Sequence, residues 1–111
     1  MVEILEKKLE KLEKFENLKN LKNSLKELLK KLERELERGI VVYSKNFTTN
    51  IGRHEDTRCQ FFVKNGVIDI CESPQGDKIK IEDFLYLKEA EVLSALKDLL
   101  EKYNKKVKEI N

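Results

Sequence analysis

Tryptophan is absent from this chain. Histidine, proline and methionine occur once each, and there are only two cysteines and four glycines. Cys59 and Cys71 are too few for a disulfide framework and lack the paired spacing of a metal site. With His54 as the sole histidine, no imidazole relay for a nucleophile is assembled in any obvious way. Its neighbours Arg53, Glu55 and Asp56 read as a solvated loop, because sequential residues do not converge on an ion as helix-spaced or CxxC-spaced ligands do. The glycines form no phosphate-cradling loop, and no motif sets two carboxylates up for acid–base work. The expectation is a protein that is not an enzyme and holds no metal or cofactor.

Long apolar stretches are missing as well. There is no N-terminal apolar core of a signal peptide and no run of about 18 apolar residues, so neither secretion nor a membrane span is expected. A cytoplasmic location is the default, and the sequon Asn46-Phe47-Thr48 then has no meaning. Nor is one sign of charge in excess. The net charge is +2, with both signs interleaved along the chain, so bulk charge does not argue for duplex DNA or an anionic membrane. What is abundant is charge itself, 40% of residues, mostly Lys and Glu. That favours a thermophilic source, although any long solvated helix looks the same.

The 111 residues leave room for one domain. Residues 2–38 read as helix. Leu5, Leu9 and Leu12 lie on one stripe with Val2, and Leu18, Leu21, Leu25, Leu28 and Leu32 continue it at spacings of three and four, with a phase slip near Phe15. Arg34 and Arg38 suit the C-terminal end of a helix dipole, and Gly39 suits the residue after it. Such a helix would be roughly 55 Å long, against about 30 Å for a domain of this size. Part of the stripe is therefore expected to meet another chain or to fold back. Asn17, Asn20 and Asn23, with the capping-box match Ser24-x-x-Glu27, mark where a fold-back would occur. Lacking Gly or Pro there, one continuous helix is favoured, with Leu5, Leu9, Leu12, Leu18, Leu21 and Leu25 as oligomerisation residues of a homodimer or homotetramer.

Residues 40–81 read as a small antiparallel meander of three to four strands. Ile40–Tyr43 and Phe47–Ile51 are β-prone. The clearest signal is Arg58–Lys64 and Val67–Glu72 flanking Asn65-Gly66, a type I′ hairpin turn. This pairs Lys64 with Val67, Phe62 with Asp69 and Gln60 with Cys71, and gathers Cys59, Phe61, Val63, Ile68 and Ile70 on one apolar face. A three-residue loop would instead set Cys59 opposite Cys71, but it would put Asp69 on the apolar face. Asp83 is expected to cap an amphipathic helix over 83–110, with Leu93, Leu96, Leu100, Tyr103, Val107 and Ile110 as a second seam. The expected fold is α+β, with an oligomerisation helix over 1–38 and a head domain over 39–111.

The polar face of that sheet carries the functional expectation. Arg58, Gln60, Phe62 and Lys64 share it with Asp69 and Cys71, and alternation adds Lys78 and Lys80. Tyr43, Lys45 and Phe47 share a parity and are candidates to join them. Cations around exposed rings are what single-stranded nucleic acid requires, since the cations track phosphates while unstacked bases lie on the rings. The competing reading is that Phe62 and Tyr43 are core residues beneath a helix or subunit. A second functional class is a coiled-coil adaptor that binds another protein and no nucleic acid.

In architecture the pattern resembles the ThermoDBP-related single-stranded DNA-binding proteins of hyperthermophilic archaea. The Leu5–Leu36 stripe, the segments Ile40–Tyr43 and Arg58–Ile81 with Phe62 among Lys and Arg, and the heptads of Leu93–Ile110 carry the resemblance. It implies a sequence-tolerant oligomer that packs bases on aromatic and apolar side chains in a cleft.

Overall fold

The computed structural model describes residues 18–51 and 54–110. Two helices lie on one side of a six-stranded antiparallel sheet. The elements run α1 (Leu18–Glu33), β1 (Val42–Tyr43), β2 (Phe47–Ile51), β3 (His54–Lys64), β4 (Val67–Glu72), β5 (Lys78–Ile79), a 3-10 turn at Ile81–Asp83, β6 (Phe84–Leu87) and α2 (Glu89–Ile110). The strand order is β5-β4-β3-β2-β6, with β1 pairing the far end of β3. The smallest dimension, 18 Å across the Cα positions, is that of one sheet and one helical layer.

The hairpin register is the one that the apolar sorting requires. Lys64 pairs with Val67, Phe62 with Asp69 and Gln60 with Cys71. Asn65 and Gly66 both take positive φ, 55° and 75°, as a type I′ turn demands. Cys59, Phe61, Val63, Ile68 and Ile70 are all buried in one core. Cys59 pairs with Glu72, so the two thiols lie on opposite faces and both are free.

The expectation of a long coiled-coil helix is overturned. Within the described residues the first helix ends at Glu33, five residues before Arg38, and its leucines face the molecule's own sheet. Leu21, Leu25, Leu28, Leu29 and Leu32 are buried against inner-face strand residues. Each such side chain contributes about 1.5–3 kcal/mol of transfer free energy, so the stripe completes this fold and leaves Leu21 and Leu25 no surface for a second chain. Leu5, Leu9 and Leu12 lie outside the described residues, as does the side chain of Leu18. The helix stops because the chain must turn back to deliver Ile40 to the core. The Glu33 carboxylate accepts the Ile68 N–H at 2.7 Å, on the edge of β4 that short β5 leaves uncovered. The Tyr103 hydroxyl accepts the Glu37 N–H at 2.8 Å. These two bonds fasten both sides of the turn.

The C-terminal helix likewise begins later than Asp83. Residues 81–83 form a 3-10 turn, Phe84–Leu87 is a sixth strand, and the helix starts at Glu89. Phe84 is fully buried, edge-on to Phe47 with ring centroids 6.2 Å apart, and Leu87 is buried beside it. Without β6, strand β2 would be an open edge. Instead it pairs with β6, and the Thr49 hydroxyl donates to the Tyr86 carbonyl. The expected seam of α2 is core too: Leu93, Leu96, Leu100 and Tyr103 are buried on the same side of the sheet as α1.

Burial has a titration consequence. The Cys59 thiol is pushed up to about 12, first by desolvation, then by the charges of Glu72 and Cys71. A group whose folded pKa lies above its unfolded value, here 9.0, contributes stability that is intact below the unfolded pKa and is lost as pH rises toward the folded one. Stability is therefore expected to fall between about pH 9 and pH 12. Denaturant midpoints at pH 8 and 10.5 check this: Cys59→Ala should shrink the difference, and an unchanged difference would assign it to other groups.

Candidate nucleic-acid interface

Because both helices pack on the inner face, the outer face of the sheet carries no helix among the described residues. Its centre is a row that crosses three strands. Tyr43 pairs with Phe62 on one side, and Asp69 pairs with Phe62 on the other. The two rings stack at 5.4 Å between centroids with an interplanar angle of 19°. Tyr43 is half-buried, while Phe62 is only 7% exposed because its partner and the walls around it enclose it. An open groove of about 510 Å³ runs here, lined by Tyr43, Phe62, Lys64, Val67, Asp69 and Lys78, with Asn65 and Gly76 at its ends.

The turn that closes one end is set by Gly76. Its N–H donates to the Glu72 carbonyl at 2.5 Å, and a Cβ there would meet Glu72 atoms at 3.2 Å. Glycine permits this close approach, and β5 returns from it with Lys78 beside the groove. Lys78 reaches Asp69 Oδ2 at 3.2 Å, and both side chains are partly or largely solvent-exposed. At such exposure the pair adds little stability, so the Lys78 ammonium stays available to a ligand.

The expected site residues do not all come together. Tyr43, Phe62, Lys64 and Lys78 line the one groove. Arg58 is exposed on β3 with the same alternation as Phe62, pairing with Thr48, four residues from the ring. Lys80 lies past the end of β5, where it borders a separate pocket of about 210 Å³ with Lys26, Leu29 and Glu82. The other two candidates are placed elsewhere. Lys45 borders a hollow with Asn46, Ala90, Glu91 and Ser94, and its backbone N–H donates to Asp98 Oδ2 at 2.6 Å. Phe47 is in the core, stacked on Phe61 at 4.9 Å.

A one-residue slip causes the Phe47 correction. Between the pairs Tyr43↔Phe62 and Phe47↔Cys59 the chain advances four residues on one strand and three on β3. Ser44 holds the slip. Its N–H donates to the Phe61 carbonyl at 2.8 Å, and its hydroxyl oxygen accepts the Phe61 N–H at 2.9 Å. A side-chain oxygen thus replaces a backbone carbonyl, and every later residue moves to the other face.

Two groove neighbours escaped the sequence reading. Val41 and Val67 are 46% and 44% exposed. Val67 is opposite Lys64, and Val41 is one residue before β1, two from Tyr43. An apolar residue next to a type I′ turn on the polar side of a hairpin is the signal that would have found Val67. With Tyr43 they add apolar surface near Lys64, which Val67 faces across the hairpin.

Gln60 and Cys71 are buried on this face as well, and the Gln60 amide donates to Cys71 Sγ at 3.6 Å. Burial raises the Cys71 thiol above its ordinary value, against a lowering by that hydrogen bond. Neither thiol is poised as a nucleophile. Among the described residues there is no cluster of three metal-ligating side chains, and no helix is long and apolar enough to cross a membrane.

No family model, curated protein or solved structure matches the chain. The functional reading therefore rests on the groove alone.

Proposed function

We propose that the chain binds single-stranded nucleic acid on the outer face of its sheet, as a non-catalytic binder. The observation that supports this is the groove in which the half-buried Tyr43 ring lies with Lys64, Val67 and Lys78, with Val41 exposed one residue before β1 and Arg58 exposed further along the same face of β3. Tyr43 offers a ring held rigid by Phe62 behind it, and base stacking on such rings contributes about 1–3 kcal/mol per base. Lys64, Lys78 and Arg58 supply the phosphate contacts. A duplex hides the faces of its bases and would gain little from this surface.

The test is fluorescence anisotropy with a labelled oligo-dT strand and a duplex of equal length, at two salt concentrations. Binding should favour the single strand and weaken as salt rises. Tyr43→Ala should reduce it by roughly tenfold, the low end of one lost stack, while Phe62→Leu keeps the floor of the groove filled. No single-strand binding at low salt would overturn the proposal.

A second reading is a scaffold that binds another protein. It is favoured by Leu85 and Tyr86, 59% and 51% exposed on the edge strand β6, far from the groove. Exposed neighbouring apolar side chains on a sheet edge suit a partner chain better than a polynucleotide.

A further inference from the structure

An acid lining a groove that binds a polyanion requires a reason. Asp69 pairs directly with Phe62, so the carboxylate stands beside the ring and lines the groove. It repels phosphate. Its Oδ2 is 3.2 Å from Lys78 Nζ, and its side chain is one-third exposed. A carboxylate accepts hydrogen bonds and donates none, whereas an ammonium only donates. Side by side, they present two acceptor oxygens next to one donor.

Resting on the nucleic-acid reading, we infer that the Asp69–Lys78 pair selects guanine among the bases that enter the groove. The Watson–Crick edge of guanine presents O6 as an acceptor, then N1–H and N2–H as donors. That sequence matches one ammonium followed by two carboxylate oxygens. Adenine and cytosine each offer one amino donor and one adjacent ring-nitrogen acceptor, so they satisfy part of the pair. Thymine and uracil place carbonyls on both sides of a single N–H, and one carbonyl faces the carboxylate. The expected order is guanine first, then adenine and cytosine, with thymine and uracil last. Unstacked bases of single strands are read on this edge, and a matched two-bond contact typically discriminates by about tenfold or more. The groove, about 510 Å³, lies within the range of sites that hold a small molecule.

The experiment is competition against a labelled oligo-dT strand by equal-length strands that carry dG, dC, dA or dT at one central position. Wild type is expected to bind the dG strand roughly tenfold more tightly than the all-dT strand. Asp69→Ala should bring the four strands within about twofold of each other, while net affinity holds or rises because an acid is lost. Equal binding of all four strands by wild type would overturn the base preference and leave the nucleic-acid reading intact. A dG preference that survives in Asp69→Ala would also overturn it. No binding of any strand would overturn both. The wild-type comparison needs no variant, so a folding defect in Asp69→Ala cannot leave the question open.

Discussion

Truncating Leu25 to alanine is expected to lower the unfolding free energy by about 3 kcal/mol, to the same extent at every protein concentration. Leu25 is fully buried in the core that α1 and α2 form with the inner face of the sheet. Removing its isobutyl group loses the transfer free energy and leaves a cavity that the surrounding rings and leucines fill only in part. The concentration dependence carries the diagnosis. A residue on an oligomer seam destabilises by weakening association, so its effect depends on concentration and disappears once dilution separates the subunits. A core residue gives the same shift throughout. Urea unfolding at two concentrations a hundredfold apart distinguishes the cases. A Leu25→Ala effect that changes with dilution would return the leucine stripe to an intermolecular role.

A still larger loss is expected for Phe47→Ala, about 3–5 kcal/mol. Domains of this size are stable by about 5–15 kcal/mol, so this variant sits near the threshold of folding. Phe47 is fully buried between Phe61, stacked at 4.9 Å, and Phe84, edge-on at 6.2 Å. Both contacts join β2 to its neighbours, and aromatic pairs add to the area they bury. Phe47→Leu keeps most of the volume and should remain folded, with its thermal midpoint reduced and its single-strand affinity unchanged. Tyr43→Ala is the counterpart, with a small change in midpoint and a large change in binding. If Phe47→Leu weakened binding at full stability, Phe47 would belong to the interface after all.

The contrast between these two aromatic residues shows where reading the chain stops. They share a parity in sequence, and nothing in the residue types between them announces that Ser44 replaces a carbonyl with its hydroxyl and shifts the register by one. A slip of one residue exchanges the faces of everything beyond it. The hairpin from Arg58 to Glu72 was different. Asn65-Gly66 imposes its own backbone angles, and the alternation on either side admits one register that buries all the apolar residues together.

Local chemistry, then, was determined by the sequence alone: an α+β chain, an antiparallel hairpin in a defined register, two amphipathic helical segments, and Lys64, Lys78 and Phe62 on one face of a sheet. Such features follow from backbone preferences and short-range periodicity, which act within a few residues. The partner of each apolar stripe was decided only by tertiary structure. A leucine stripe fits another helix or the face of a sheet equally well, because burial of apolar area is non-directional. Here six strands, one of them formed by Phe84–Leu87 where a helix was expected, supply enough inner surface for both helices. That choice turned the leucines inward and left the opposite face of the sheet, with Tyr43 and its cations, without a helical cover.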